Sequence, residues 1–460
     1  MVTNFDDTIA GISTAPGIAG ISVIRISGEA VFKVINSLFR SKKYTDVTQI
    51  PDKTIAYGWI EADGKPIDEV LLSIMHKPHT FTAEDIVEIH CHGGMYISQT
   101  ILKMVLEQGV RLANPGEFTQ RAFVNGRIDL TQAEAINDMI NAKSALGLDL
   151  VVNQLKGKLY DRINAIKEKI AWVLALVNAG IDFPEENTVF ANRDEIADRL
   201  NAAEQGLENL IRTAETGIKI REGYQIVLVG KPNVGKSSIL NGVLSESRAI
   251  VHQMPGTTRD TVEESATIEG IPISIIDTAG IHETNDQVEQ EGITRAFSAM
   301  NRADLILWVI DTTAPSFDLE VSEQASINDT PILLVLNKTD LSAVNSDIIP
   351  DRWKDRPCIF ISALKEPDLL LLRKEIFEFL SGNRGILPEE TMLTNIRQKQ
   401  STENALKVLR EAKDAIEAGL GEEYLAVDLS QTLNALGEIV GETTPDDMLN
   451  QVFSQFCIGK

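Results

Sequence analysis

The chain has 460 residues, enough for about two to four domains, and carries 43 Lys and Arg against 67 Asp and Glu, a net charge of −24. So acidic a chain does not coat nucleic acid non-specifically, because phosphate contacts need clustered Lys and Arg; RNA binding would need a local patch or a basic partner. Cys91, Cys358 and Cys457 are far apart with no Cys-x-x-Cys pair, which points to a reducing cytoplasm and excludes a disulfide framework. No basic stretch precedes an apolar core at the acidic start, so no signal peptide is expected. The longest apolar stretch, 171–181, is too short to span a bilayer, and no membrane association is expected.

Residues 1–121 mix strand and helix patterns, as at Ile21–Ile26 and Ile86–His90, and predict a small α+β domain. His90-Cys91-His92 looks like a metal cluster, but strand neighbours point to opposite faces, so no transition metal is predicted. From 122 to 218 the period becomes helical. Leu148, Val152, Leu155, Leu159, Ile163, Ile166, Ile170, Val173 and Val177 form one apolar stripe. It predicts one long helix of some 30 residues, roughly 45 Å at ~1.5 Å per residue, stopped at Ile181-Asp182-Phe183-Pro184. Leu200, Leu207, Leu210 and Ala214 predict another helix. Lys156, Lys158, Arg162, Lys167 and Lys169 read as a solvated basic face more readily than as an RNA site.

From 219 to 384, strands at 225–229, 272–276, 304–310, 331–336 and 357–361 alternate with helices, the pattern of a parallel sheet covered on both faces. From 385 to 460 the chain is helical again. The expected architecture is therefore multidomain: an α+β domain, an all-α bundle in two segments, and an α/β domain inserted within the bundle.

Chemistry concentrates in the α/β segment. Gly230-Lys231-Pro232-Asn233-Val234-Gly235-Lys236-Ser237-Ser238 fits G-x-x-x-x-G-K-[ST] after the strand Ile226–Val229. Backbone N–H groups of such a loop cradle phosphates, Lys236 reaches the terminal ones, and Ser237 can hold Mg²⁺. Gly256-Thr257-Thr258 supplies a threonine for Mg²⁺ and the γ-phosphate. Asp277-Thr278-Ala279-Gly280 supplies a water-mediated Mg²⁺ contact and a glycine amide. Asn337-Lys338-Thr339-Asp340 offers a carboxylate for the paired N–H groups of a guanine edge, and Ser362-Ala363-Leu364 completes the base pocket. Their order along the chain resembles that of Ras-type P-loop GTPases.

Two departures matter. Ile281 stands where Ras-like proteins have a water-orienting glutamine, and isoleucine cannot hydrogen-bond water. Arg259 reads equally as a cis arginine or as a solvated side chain. Asn233 admits two readings: a side chain that stabilises the loop, or a ligand to a monovalent cation shared with backbone carbonyls of 249–256.

The ends of the chain are more specific. Asp7-Thr8-Ile9-Ala10, Arg25-Ile26-Ser27-Gly28, Phe81-Thr82-Ala83-Glu84-Asp85, His92-Gly93-Gly94, 113–123, Ile181-Asp182-Phe183-Pro184 and Cys457-Ile458-Gly459-Lys460 resemble the MnmE (TrmE) family, bacterial tRNA-modification GTPases. The resemblance implies an N-terminal dimerisation domain with a folate-binding-like fold, a helical domain, and an inserted G domain. It implies a cytoplasmic homodimer that, with the FAD protein MnmG, adds carboxymethylaminomethyl or aminomethyl groups to C5 of the wobble uridine of certain tRNAs. The one-carbon unit would come from 5-formyltetrahydrofolate or a related folate, and K⁺ would stimulate GTP hydrolysis as the G domains meet.

By position, the resemblance implies K⁺ at Asn233, His252, Met254 and Thr257, within a nucleotide loop that also includes Gln253 and Pro255. It implies Mg²⁺ at Ser237 and Thr258, and Glu289 as the group that positions the attacking water. His282 replaces an arginine common in relatives. The implied folate site is Arg25, Glu88, Arg127 and Lys460. Cys457 reads as a packed small thiol. A ribosome-assembly GTPase of the Era/EngA type shares the switch sequence, but neither a KH-like domain nor a second phosphate loop is visible. Ile281 also admits a nucleotide switch that does not hydrolyse.

Overall fold

The computed structural model describes residues 6–182, 193–244, 263–277, 301–317, 330–342, 346–381, 391–419 and 421–460, with 12 α-helices and two sheets among them. The chain falls into two compact units, one of 1–140, 154–204 and 404–460, the other of 141–153 and 205–403.

The first unit holds a seven-stranded sheet of β1 (Ile9–Ile12), β2 (Ile21–Ser27), β3 (Phe39–Arg40), β4 (Thr54–Ala62), β5 (Lys65–Met75), β6 (Ile86–His92) and β7 (Arg111–Leu112), in the order β3-β4-β5-β6-β2-β1-β7. Alternation sorts the side chains. Ile24, Ile26, Ala56, Ile60, Val70, Leu72, Val87, Ile89 and Cys91 point inward, against α1 (Val31–Leu38) and α2 (Met95–Leu106). The opposite face carries Ile55, Tyr57, Trp59 and Leu71, 61%, 54%, 39% and 42% exposed. Across it runs one cross-strand row: Ile55, Ser73, Glu88, Arg25 and Gly11.

α3 (Glu117–Val124) and α4 (Leu130–Ile140) follow the sheet. The expected single long helix is in fact two, α5 (Ala145–Leu155) and α6 (Lys158–Asp182). Gly157, at φ +82°, breaks the helical path, an effect that apolar spacing alone does not reveal. The stripe survives on α6, where Leu159, Ile163, Ile166, Ile170, Val173 and Val177 are buried, whereas α5 buries Leu150 and Val151 and leaves Leu148 exposed. α6 packs on a later helix, Glu422–Val440, that buries Leu425, Leu429, Leu436 and Ile439.

α7 (Arg193–Glu222) buries Leu200, Leu207, Leu210 and Ala214 as its pattern predicts. The second unit's sheet contains β8 (Tyr224–Val229), β9 (Glu263–Ile268), β10 (Ile271–Asp277), β11 (Leu305–Asp311), β12 (Ile332–Asn337) and β13 (Cys358–Phe360), in the order β13-β12-β11-β8-β10-β9. All pairings are parallel except β9 with β10, and β9 is the strand that sequence reading missed. The predicted strands match β8 and β10–β13 to within a residue or two. One face of this sheet packs on α8 (Lys236–Leu244) and α9 (Glu366–Ser381), with Ile226 and Leu228 in that core and Val227 and Val229 in the other. The remaining helices are α10 (Ile396–Glu417), α11 (Glu422–Val440) and α12 (Asp446–Ser454). No helix among the described residues is long and apolar enough to cross a membrane.

A buried ionic cluster fixes α3 to the N-terminal strands. Arg121 and Glu117 are fully buried, one turn apart. Arg121 donates to the Asp7 carbonyl at 2.7 Å, to Glu84 at 3.1 Å and to the carboxylates of Asp7 and Glu117. Arg111 joins from β7, donating to Asp7 at 2.7 Å and to Glu117 at 2.9 Å. Burial alone would push the Glu117 and Asp7 carboxyls up, but hydrogen bonds from these arginines outweigh it and hold both below the ordinary carboxylate range. Arg121→Met, which strands buried carboxylates, is expected to destabilise this unit by about 3–5 kcal/mol in urea denaturation. With folded-state carboxyls depressed, the cluster's contribution is full above the unfolded carboxylate range and is lost as pH falls through it towards the folded values. Thermal midpoints between neutral and acid pH check this, and Glu117→Gln is expected to flatten the acid limb.

Candidate functional site

β8 ends at Val229, residues 230–235 form the turn, and α8 opens at Lys236, the strand–loop–helix path of a phosphate loop. Asn233 is exposed and left-handed, at φ +63°, a conformation that Asn tolerates better than most residues. Its side chain has no hydrogen-bond partner among the described residues. The buried Lys236 ammonium donates to the carbonyls of Gly230 and Lys231 at 2.5 and 3.0 Å. Ser237 and Ser238 are exposed in the first turn of α8. Asp277 closes β10, in register with Leu228 of β8, at the carboxyl end of the sheet where doubly wound folds place ligands.

The base-binding motif meets this loop through Asn337. Its amide is 2% exposed, donates to the Val234 carbonyl at 2.8 Å and accepts from the Ala363 amide at 2.9 Å. Position 235 must be glycine here, because a Cβ would lie 2.2 Å from the Asn337 nitrogen. Lys338 donates to the Asn233 carbonyl at 2.8 Å and pairs with Asp311 at 2.6 Å. Burial pushes the Asp311 carboxyl up, but the hydrogen bond from Lys338 and those from Thr313 prevail and hold it low. Asp340 is exposed and accepts from the Ser362 hydroxyl at 2.7 Å, while Asp368 accepts from the Ser362 amide at 2.7 Å. Leu364 is exposed. Thus Val234, Gly235, Asn337, Lys338, Asp340, Ser362 and Ala363 form one connected set.

Asp311 and Asp368 escaped sequence reading; the signal for Asp311 was its place directly after the buried run Leu305–Ile310. His252, Gln253, Met254, Pro255, Gly256, Thr257, Thr258, Arg259, Thr278, Ala279, Gly280, Ile281, His282 and Glu289 lie outside the described residues, as do Phe183 and Pro184.

In the first unit, Arg25 and Glu88 stand opposite each other on β2 and β6, and Arg25 donates to Glu88 at 2.8 Å. An arginine that looks awkward in an apolar strand is thus neutralised on the open face. The guanidinium carbons of Arg25 and Arg127 lie 5.0 and 4.8 Å from the centre of the same Phe81 ring. Phe81 opens the Phe81-Thr82-Ala83-Glu84-Asp85 motif, and its ring is what brings the two guanidinium groups together. The tail closes the group. The Gly459 carbonyl is 3.5 Å from an Arg25 nitrogen and accepts from Ser13 at 3.0 Å, while the Lys460 backbone oxygen accepts from the Phe118 amide at 3.2 Å. Gly459, at φ +93°, admits no side chain, since a Cβ would lie 2.3 Å from the Ile12 carbonyl. The Lys460 ammonium has no partner among the described residues.

Cys91 is buried and its thiol is pushed up to about 11, chiefly by burial, so it is no nucleophile near neutral pH. Cys457 is exposed, not packed as its sequence reading expects. His92 hydrogen-bonds Asp68 at 2.6 Å, and no cluster of three metal-ligating side chains occurs among the described residues. Asn337→Ala leaves the Val234 carbonyl and the Ala363 amide without their partner, at about 1–3 kcal/mol for each buried group. We expect guanine-nucleotide affinity to fall at least about tenfold, read by titration with a fluorescent GDP analogue.

Two family models match the chain: GTP-binding protein TrmE N-terminus over residues 8–127, and MnmE helical domain over 130–457. The tRNA modification GTPase MnmE of Thermoanaerobacter sp. is 42% identical over 99% of this chain and 99% of its own length. That of Streptococcus mutans is 41% identical over 100% of both. Among solved structures, a variant of Aquifex aeolicus Era bound to GDP and AlF₄⁻ matches 40% of this chain and 66% of its own at 30% identity, with a TM-score of 0.28, too partial a likeness to carry an argument. The end-to-end identity, over a chain that holds the phosphate loop and the base loops in contact, means that this chain belongs to the MnmE (TrmE) family of tRNA modification GTPases.

Proposed function

We propose that this chain is a K⁺-activated GTPase of the cytoplasm. As a homodimer working with the FAD protein MnmG, it modifies C5 of the wobble uridine of certain tRNAs with a carboxymethylaminomethyl or aminomethyl group. The observation that carries this reading is the 42% identity over 99% of the chain to a tRNA modification GTPase, since a shared G domain alone would align only the middle of the chain. The domains are 1–121 for dimerisation and folate binding, 122–218 and 385–460 for the helical domain, and 219–384 for the G domain.

GTP is held by the loop 233–238, with the guanine edge read by Asp340 and the base loop held by Asn337, Lys338, Ser362, Ala363 and Leu364. Ser237 and Thr258 hold Mg²⁺; the exposed Ser237 hydroxyl at the start of α8 suits that task. The segments 252–258 and 277–280 complete the nucleotide site. A K⁺ ion held there would supply positive charge to phosphoryl transfer, the role an arginine finger plays in other GTPases at roughly 10³–10⁵ in rate. Asn233 suits it: exposed, with a side-chain oxygen that no described group engages, and His252, Met254 and Thr257 complete the set. Glu289 positions the attacking water, a task Ile281 cannot perform.

The folate donor lies against Arg25, Glu88, Arg127 and Lys460. Two guanidinium groups and an ammonium suit its anionic tail, and the second Glu88 oxygen, 3.7 Å from His90, is available to a pterin edge. The open sheet face with Ile55, Tyr57, Trp59 and Leu71 supports dimerisation there, because such an apolar patch is costly to leave in water. The folate row on that same face would then border the dimer seam.

Single-turnover GTP hydrolysis is expected to be much faster in K⁺ than in Na⁺ and to collapse in Glu289→Ala; equal slow rates in both salts would sink the cation mechanism. Mass spectrometry of tRNA nucleosides from a deletion strain is expected to show the wobble modification missing. Unchanged nucleosides would favour a ribosome-assembly role instead.

A further inference from the structure

Within the first unit, a cleft of about 610 Å³ opens beside the folate group. Its walls include Phe123, Arg127, Lys156, Gly157, Tyr160 and Asp161. Three of these groups are unusual together. The Arg127 guanidinium lies over the Phe81 ring and has no hydrogen-bond or ion-pair partner among the described residues, nor do the Lys156 ammonium and Tyr160 hydroxyl. Lys156 and Gly157 form the break between α5 and α6, so the cleft also meets the amino end of a 25-residue helix, whose free N–H groups favour an anion.

The acidic walls are mostly committed. Asp129 caps α4, accepting from the Thr131 amide at 2.7 Å, and Glu442 pairs with Lys167. Asp161 remains, which makes the cleft a poor trough for a continuous polyanion. Two cations, a helix amino end and a half-buried tyrosine lining one cleft match a smaller object. They suit one unstacked nucleotide, its base on the ring and its phosphate on the cations.

We propose that this cleft holds a single-stranded nucleotide of the RNA substrate, with the base stacked on Tyr160 and the phosphate held by Lys156 and Arg127. This rests on the reading of tRNA as substrate. Arg127 then serves both sites: one side of its guanidinium meets Phe81 of the folate group, and the cleft brings the acceptor nucleotide next to the donor. The break at Gly157 acquires a reason, since an unbroken helix would leave no free amino end at the cleft.

The test is titration of an unmodified tRNA transcript with the full chain, alongside thermal midpoints to verify folding. Tyr160→Ala and Lys156→Glu are each expected to weaken binding about tenfold or more, and Tyr160→Phe to stay within about twofold of the parent. Lys156→Ala is expected to lower the slope of log affinity against log salt by about 1. Unchanged RNA affinity in folded Tyr160→Ala and Lys156→Glu would overturn the inference, as would no binding of the transcript by the parent protein. So would loss of 5-formyltetrahydrofolate binding in these variants with RNA affinity intact, which would assign the cleft to the folate tail. The deletion-strain nucleosides judge the tRNA reading separately.

Discussion

The Asn337 amide is buried, so both of its ends must find partners, and it finds them in two different loops. One end holds the phosphate loop at Val234 and the other holds the base loop at Ala363. A nucleotide is a long ligand with a charged end and a planar end, and its two receptors must keep a fixed separation. Here a single side chain sets that separation, with Lys338 bridging Asn233 and Asp311 as a second tie. Gly235 follows from the same constraint, because the amide occupies the volume a Cβ would need. The sheet supports this by ending β8, β10, β11 and β12 at one edge, where loops can meet.

The first unit solves a different problem. Its sheet is buried on one face and open on the other, and the open face mixes apolar groups with the Arg25–Glu88 pair. Charge on such a face is tolerated because the pair is adjacent in register, and the two side chains, only 16% and 18% exposed, neutralise each other at 2.8 Å. The Arg121 cluster is the costlier arrangement: full burial is offset only because three carboxylates and a backbone carbonyl surround the guanidinium. It ties the start of β1, the loop after β5 and the helix α3 together, and so positions Phe81 and Phe118 around Arg25.

Much of this was legible in the sequence where local pattern and local chemistry agree. The G-domain strands were readable because buried parallel strands are continuous apolar runs. β9 was not, since its run Glu264-Ser265-Ala266-Thr267-Ile268 belongs to an edge strand with one polar face. The helical stripe was readable, but its interruption was not, because a lone glycine leaves apolar spacing intact. The Arg25–Glu88 pair depends on register between strands 63 positions apart, which no window of sequence contains. Asn337 was recognised by motif, yet its role as a tie between loops emerges only when β8 and β12 are placed in one sheet. Arg25, Glu88, Arg127 and Lys460 are grouped by family resemblance, and the row across β4, β5, β6, β2 and β1 supplies the physical reason for the proximity of Arg25 and Glu88.

The tail has a consequence for how the protein is made. β7 covers only Ile9 and Ala10 of β1, and the rest of that strand is met by Gly459, whose carbonyl is bonded by Ser13 across 446 positions of sequence. During synthesis at ~5–20 residues per second, the N-terminal strands therefore wait roughly 20–90 s for the residues that meet β1. Throughout that interval a nascent chain carries an open apolar sheet face and an unfinished β1 on the ribosome. The Arg121 cluster, drawn wholly from residues 7–121, can close early and hold the sheet together until the tail arrives.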